Sequence, residues 1–125
     1  MKEYIVRVSE TRTEWFNKKG QLHREDGPAV EYVTGDKSWW INGKRHREDG
    51  HAIEYAIGDK LWYINGQLHR EDGPAIEWAD GDKSWWINGK ELTEKEFNQR
   101  MNPAIEMTME EVCKALGRNI KIIKS

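Results

Sequence analysis

The pentapeptide His-Arg-Glu-Asp-Gly stands at 23–27, again at 46–50 and again at 69–73, each copy 23 residues after the last. An apolar-acidic-aromatic run follows each copy, and then Asp-Lys-x-Trp at 36–39, 59–62 and 82–85. A short fixed period means one small unit stacked on copies of itself, because a single unit has too little apolar surface to close a core alone. The period constrains the architecture closely and names no reaction.

The letters inside the period are strand letters. β-branched and aromatic residues alternate with polar ones, punctuated by Gly-Asp or Asn-Gly. Each unit reads as two short antiparallel strands. The first runs over 29–33, 52–56 and 75–79, and the second over 37–42, 60–65 and 83–88. Gly35-Asp36, Gly58-Asp59 and Gly81-Asp82 are expected to turn the chain within a unit. Asn42-Gly43 and Asn65-Gly66 are expected to turn it between units as type I′ turns, which need positive φ at both central residues. Asp-Gly in the repeated pentapeptide supplies a third reversal before Pro28 or Pro74. A degenerate half-copy precedes the full ones, with Phe16 at the place of Trp39 and Gly20 at the place of Gly43.

A two-residue turn at Gly81-Asp82 would set Ala79 opposite Ser84, Trp78 opposite Trp85, Glu77 opposite Trp86 and Ile76 opposite Ile87. Opposed residues share a face. Ile76, Trp78, Trp85 and Ile87 then form a core face, with Val30, Tyr32, Trp39 and Ile41 and with Ile53, Tyr55, Trp62 and Ile64 as their counterparts. The other face would be wet. It would carry an aromatic row of Trp40, Tyr63 and Trp86 beside an acidic row of Glu31, Glu54 and Glu77; exposed rings of this kind often mark contact surfaces, the alternative being that they only cover the sheet or pack under the C-terminal segment. These residues are the expected partner-binding set. A slip of one residue would invert the assignment.

After Lys90 the period stops. Thr93 to Glu96 is a capping box ahead of Phe97 and Met101, and Thr108 to Glu111 is a second. Met109, Val112, Cys113 and Leu116 make one apolar helix stripe that ends at Gly117. A strand pattern follows over 119–124, and another opens the chain over 4–8. Stacked repeats need caps on their open ends. The expected fold is therefore mainly β: an antiparallel meander of two-stranded repeats with a small α/β C-terminal cap. Its divisions are a capping strand within 1–14, repeats over 15–90 and a helical segment with a strand over 91–125.

Charge narrows the function classes. Twenty Lys and Arg stand against 22 Asp and Glu, a net of −2. A protein that grips duplex DNA by its backbone carries a basic excess, and a DNA mimic carries a strong acidic one. Neither appears. No apolar leader or membrane-spanning run is visible, and Cys113 is the one cysteine, so a cytoplasmic setting is expected.

The equally spaced His23, His46 and His69 invite a metal site. A whole repeat, roughly 10 Å, should separate them, whereas zinc ligands sit about 2.0–2.3 Å from one ion. They are read instead as structural. The imidazoles would point inward, and Arg24, Arg47 and Arg70 with Asp26, Asp49 and Asp72 would tie the loops by charge-assisted bonds. No cofactor or metal is expected. His51 breaks the pattern set by Pro28 and Pro74; a functional exchange and drift both fit the letters, with drift the favoured expectation. Cys113 falls on an apolar stripe, and no nucleophile elbow, P-loop or dinucleotide fingerprint is present.

The combination Asn42-Gly-Lys-Arg-His46 with Ala52-Ile-Glu-Tyr-Ala-Ile-Gly-Asp-Lys60 resembles the MORN repeat over about 15–90, in period and in its Gly-Asp-Lys, Asn-Gly-Lys and His positions. It departs where Arg-Glu-Asp-Gly-Pro-Ala follows the His and where Trp-Trp-Ile replaces Tyr-x-Gly-x-Trp. The wording is more similar to a MORN-like repeat of small bacteriophage proteins. That resemblance implies an interaction scaffold without an active site. The expected function is a non-enzymatic protein-binding module, in the phage setting an inhibitor that occludes a host nuclease or defence complex. A binder of single-stranded nucleic acid or nucleotide, stacking bases on Trp40, Tyr63 and Trp86, is a second and disfavoured expectation. A small hydrolase is a third.

Overall fold

The computed structural model describes residues 3–102 and 110–111. β1 (Ile5–Val8) and β2 (Arg12–Phe16) form an N-terminal hairpin. The first repeat supplies β3 (Val30–Tyr32), β4 (Lys37–Ser38), β5 (Trp40–Ile41) and β6 (Lys44–Arg45). The second supplies β7 (Ile53–Glu54), β8 (Lys60–Leu61), β9 (Tyr63–Ile64) and β10 (Gln67–Leu68). The third supplies β11 (Ile76–Glu77), β12 (Lys83–Ile87) and β13 (Lys90–Leu92), and helix α1 (Glu94–Met101) follows. Nine strands pair in the order β1-β2-β3-β4-β7-β8-β11-β12-β13, while β5-β6 and β9-β10 are separate ribbons. The protein is thus mainly β, an antiparallel meander with a short C-terminal helix.

The long second strand of each unit serves two partners. Trp39 donates its N–H to the Ala52 carbonyl in the meander, and its own carbonyl accepts from His46 in the ribbon. Trp62 does the same with Ala75 and His69. The Asn-Gly turn draws the second half aside. Asn42, Asn65 and Asn88 lie at φ 48°, 49° and 50°, each followed by a glycine near 80°, the type I′ signature.

The turn within each unit differs from expectation, and the difference moves the faces. Tyr32 donates to the Asp36 carbonyl and Gly35 donates back to the Tyr32 carbonyl. The loop is therefore Val33-Thr34-Gly35, with Gly35 at φ 100°, rather than the two residues Gly35-Asp36. In the third unit Ile76 opposes Ser84, not Ile87, and Glu77 opposes Lys83, not Trp86. The register moves by an odd number of positions, so the partner strand's faces exchange. The expected core set does not share a face. Tyr32, Tyr55 and Trp78 are 42, 40 and 43% exposed, while the buried centre is Ala29, Ala52 and Ala75 with Val30, Ile53 and Ile76.

The half-copy also needs correction. Trp15, not Phe16, holds the place of Trp39: it donates to the Ala29 carbonyl and accepts from His23. The offset arises because this hairpin turns through three residues, Lys18-Lys19-Gly20, where later units use two.

The C-terminal end is closed by a change of letters at the same register. Trp85 opposes Leu92, as Trp39 opposes His46, so an apolar side chain stands where the earlier units have histidine. Leu92, Ile87 and Phe97 form a buried cluster joined by Trp85 and Met101. The capping box is present: the Thr93 hydroxyl accepts from the Glu96 N–H and the Glu96 carboxylate accepts from the Thr93 N–H. The backbone bond from Thr93, and then its hydroxyl, hold the Glu96 carboxyl below its ordinary range. A lowered folded value makes this contribution present at neutral pH and lost as acidification passes through it. Thr93→Ala is expected to cost α1 about 1 kcal/mol and to bring Glu96 part of the way back toward the ordinary range, because alanine removes the hydroxyl but keeps the backbone N–H. NMR titration of the carboxyl carbon reads this directly, and an unmoved Glu96 would contradict the capping account. The second capping box, Cys113 and the strand pattern over 119–124 lie outside the described residues, except that Glu110 and Glu111 are helical.

Candidate functional site

Register sorts the sheet into two chemically different faces. On the first, Glu14, Val30, Ser38, Ile53, Leu61, Ile76 and Ser84 follow one another directly across the strands. One step toward the inner turns lies the exposed row Tyr32, Tyr55 and Trp78. One step the other way lie Trp40, Tyr63 and Trp86, half-buried. The Trp40 and Trp86 indoles donate to the hydroxyls of Ser38 and Ser84, at 2.8 and 2.9 Å. The middle unit has no such bond to make: its ring is Tyr63, and Leu61, with no hydroxyl, stands where the other units have serine. This paired exchange inside one chain was the available signal for which residues share a face.

Arg45 sits between two of these rings, its guanidinium 5.1 Å from the Trp40 centroid and 5.6 Å from that of Tyr63. It is exposed and makes no ion pair among the described residues. The sheet and the β5-β6 ribbon enclose a groove of about 470 Å³ lined by Tyr32, Trp40, Arg45, Ile53 and Tyr55 among others. Tyr32, Tyr55 and Trp78 were missed as surface residues because the expected two-residue turn had sent them inward.

The second face carries the charge. Glu31, Lys37, Glu54, Lys60, Glu77 and Lys83 alternate in sign directly across successive strands, a favourable cross-strand arrangement. The expected ladder of Glu31, Glu54 and Glu77 beside Trp40, Tyr63 and Trp86 therefore does not exist, since acids and rings occupy opposite sides. Glu31 and Glu77 instead pair with Arg24 and Arg70 at 3.3 and 3.1 Å.

The repeated pentapeptide is a brace. Arg24, Arg47 and Arg70 lie over Trp15, Trp39 and Trp62 at 4.0, 4.1 and 4.0 Å. Their Nε donates to Asp26, Asp49 and Asp72, and one Nη donates to the carbonyl of Pro28, His51 or Pro74. The bond from Arg70 holds the Asp72 carboxyl below its ordinary range. The histidines join neighbouring units. His23, His46 and His69 accept at Nδ1 from the N–H of Asn42, Asn65 and Asn88 at 2.9, 2.9 and 3.0 Å. Each is half-buried. Asp36 and Asp59 likewise accept from the Ala56 and Ala79 N–H of the following unit.

His51 has a defined place. Its Nε2 is 2.9 Å from Glu54, and its ring meets Trp39 and Trp62 edge-on at 6.0 and 5.4 Å. It takes the acid that Arg24 and Arg70 hold in the other units. Among the described residues no three His, Cys, Asp or Glu side chains gather as a metal set, and no helix is long and apolar enough to cross a membrane. No family model matches the chain, and neither a curated protein nor a solved structure matches it.

Proposed function

We propose that this chain is a non-enzymatic protein-binding module that meets its partner with the open aromatic face. The carrying observation is the row Tyr32, Tyr55 and Trp78, each at least 40% exposed and flanked by buried Val30, Ile53 and Ile76. Large rings cost little conformational entropy to hold and bury much area on contact, so they anchor interfaces. The polar groups beneath them are engaged in joining units, which supports a rigid surface. The finer reading, taken from the phage resemblance, is occlusion of a host nuclease or defence complex by this face.

The test is affinity capture with the tagged chain and with a Tyr32→Ser, Tyr55→Ser, Trp78→Ser variant, read by mass spectrometry. The partner is expected with the parent and absent with the variant, whose circular dichroism stays unchanged. Undiminished capture by a folded variant would remove this face as the interface. If a nuclease is the captured partner, adding the chain should inhibit it stoichiometrically.

A further inference from the structure

We infer that the open face is a track for a polyproline-II segment carrying an acidic side chain, laid along the repeat axis and across the strands. This rests on the protein-binding reading above and names the partner's chemistry.

Spacing comes first. Equivalent residues of successive units are two strands apart in the meander, or about 9.6 Å. A polyproline-II helix completes a turn in three residues, with a rise of about 9.3 Å. Side chains at i, i+3 and i+6 of such a segment would meet Tyr32, Tyr55 and Trp78 in turn, drifting only about 0.3 Å per unit. The same-face period of a β-strand, about 6.8 Å, does not fit. The seven-residue rise of an α-helix, about 10.5 Å, drifts by nearly 1 Å per unit.

Hydrogen bonding points the same way. A polyproline-II segment has no internal hydrogen bonds, so its carbonyls need outside donors. The Tyr32 and Tyr55 hydroxyls and the Trp78 indole N–H make no hydrogen bond among the described residues, and they recur at the same interval. By contrast, the Trp40 and Trp86 indoles are already bonded to serines.

Charge completes the match. Arg12 is paired with Glu14 at 3.3 Å, and Asp36 and Asp59 are bonded to backbone N–H groups. Arg7 and Arg45 are the cations on this face with no ion pair among the described residues, and Arg45 is the one held between two repeat rings, Trp40 and Tyr63. Its complement is a carboxylate. A nucleic-acid strand fits less well, because it would ask for a cation at each phosphate, and unpaired cations do not recur along this face from unit to unit among the described residues.

The full chain is titrated, by tryptophan fluorescence and calorimetry, with a proline nonapeptide bearing a central glutamate. The comparisons are the same peptide with central lysine, a glycine-serine nonapeptide and a twelve-residue oligothymidylate. The glutamate peptide is expected to saturate and to bind at least tenfold tighter than either peptide control. Arg45→Gln should abolish the preference for glutamate over lysine, and Tyr55→Ala should weaken both proline peptides about tenfold. Both positions are exposed, and unchanged melting curves would show that the variants fold. Absence of saturable binding, equal affinity for the glutamate and lysine peptides, indifference to Tyr55→Ala, or tighter binding of the oligothymidylate would each overturn the inference. If the peptides fail while the triple serine variant still loses its captured protein, the polyproline assignment falls and the interaction face stands. If neither responds, both fall.

Discussion

Replacing Trp62 by alanine is expected to lower the free energy of unfolding by about 3 kcal/mol, within the range for truncating a large core ring. The ring is half-buried, yet it organises more than its area suggests. Arg70 lies over it at 4.0 Å and His51 meets its edge at 5.4 Å. Its backbone passes the chain from the meander to the β9-β10 ribbon. Truncation would strip Arg70 of its platform and loosen the loop through Asp72. Urea denaturation followed by circular dichroism measures the effect. A loss below about 1 kcal/mol would mean that Arg70 and His51 hold the loop without the ring.

Phe97→Ala should produce a loss of similar size with a different distribution. Phe97 is 4% exposed and packs with Ile87 and Leu92 at the end of the repeats. Truncating it creates a cavity, costing about 3 kcal/mol at that site. Stacked units couple mainly to their neighbours, so damage at an end stays near that end. Amide exchange should lose protection in α1 and β13 while β3, β4, β7 and β8 keep theirs. Uniform loss across all units would show that the cap and the repeats unfold as one.

The period, the two turns per unit, the type I′ geometry at Asn-Gly and the capping box at Thr93 all follow from local chemistry, so the letters alone carried them. The face assignment did not, because it hung on one loop length. Gly-Asp suggests a two-residue turn, but Gly35 takes the positive-φ position that closes a three-residue loop. That single difference sent Tyr32, Tyr55 and Trp78 outward and parted Glu31, Glu54 and Glu77 from Trp40, Tyr63 and Trp86. The exchange of Ser38 and Trp40 for Leu61 and Tyr63 would have resolved it, since an indole wants an acceptor and a phenyl ring edge does not. The contacts of His51 could not be read from its neighbours in sequence. Glu54 is three residues away, but Trp39 and Trp62 approach only once the sheet is assembled.

The side-chain acceptors that link successive units, His and Asp, span nearly the same short stretch of chain. His23, His46 and His69 accept from residues 19 positions on, and Asp36 and Asp59 from residues 20 positions on. Native partners are therefore never far apart along the polypeptide, which favours rapid assembly. Asp82 repeats the letter of Asp36 and Asp59 where the series ends. A duplicated cassette spliced in ahead of the Leu92 cap would meet that carboxylate and bring its own histidine, so a lineage carrying this architecture can change its reach by copying DNA in whole units.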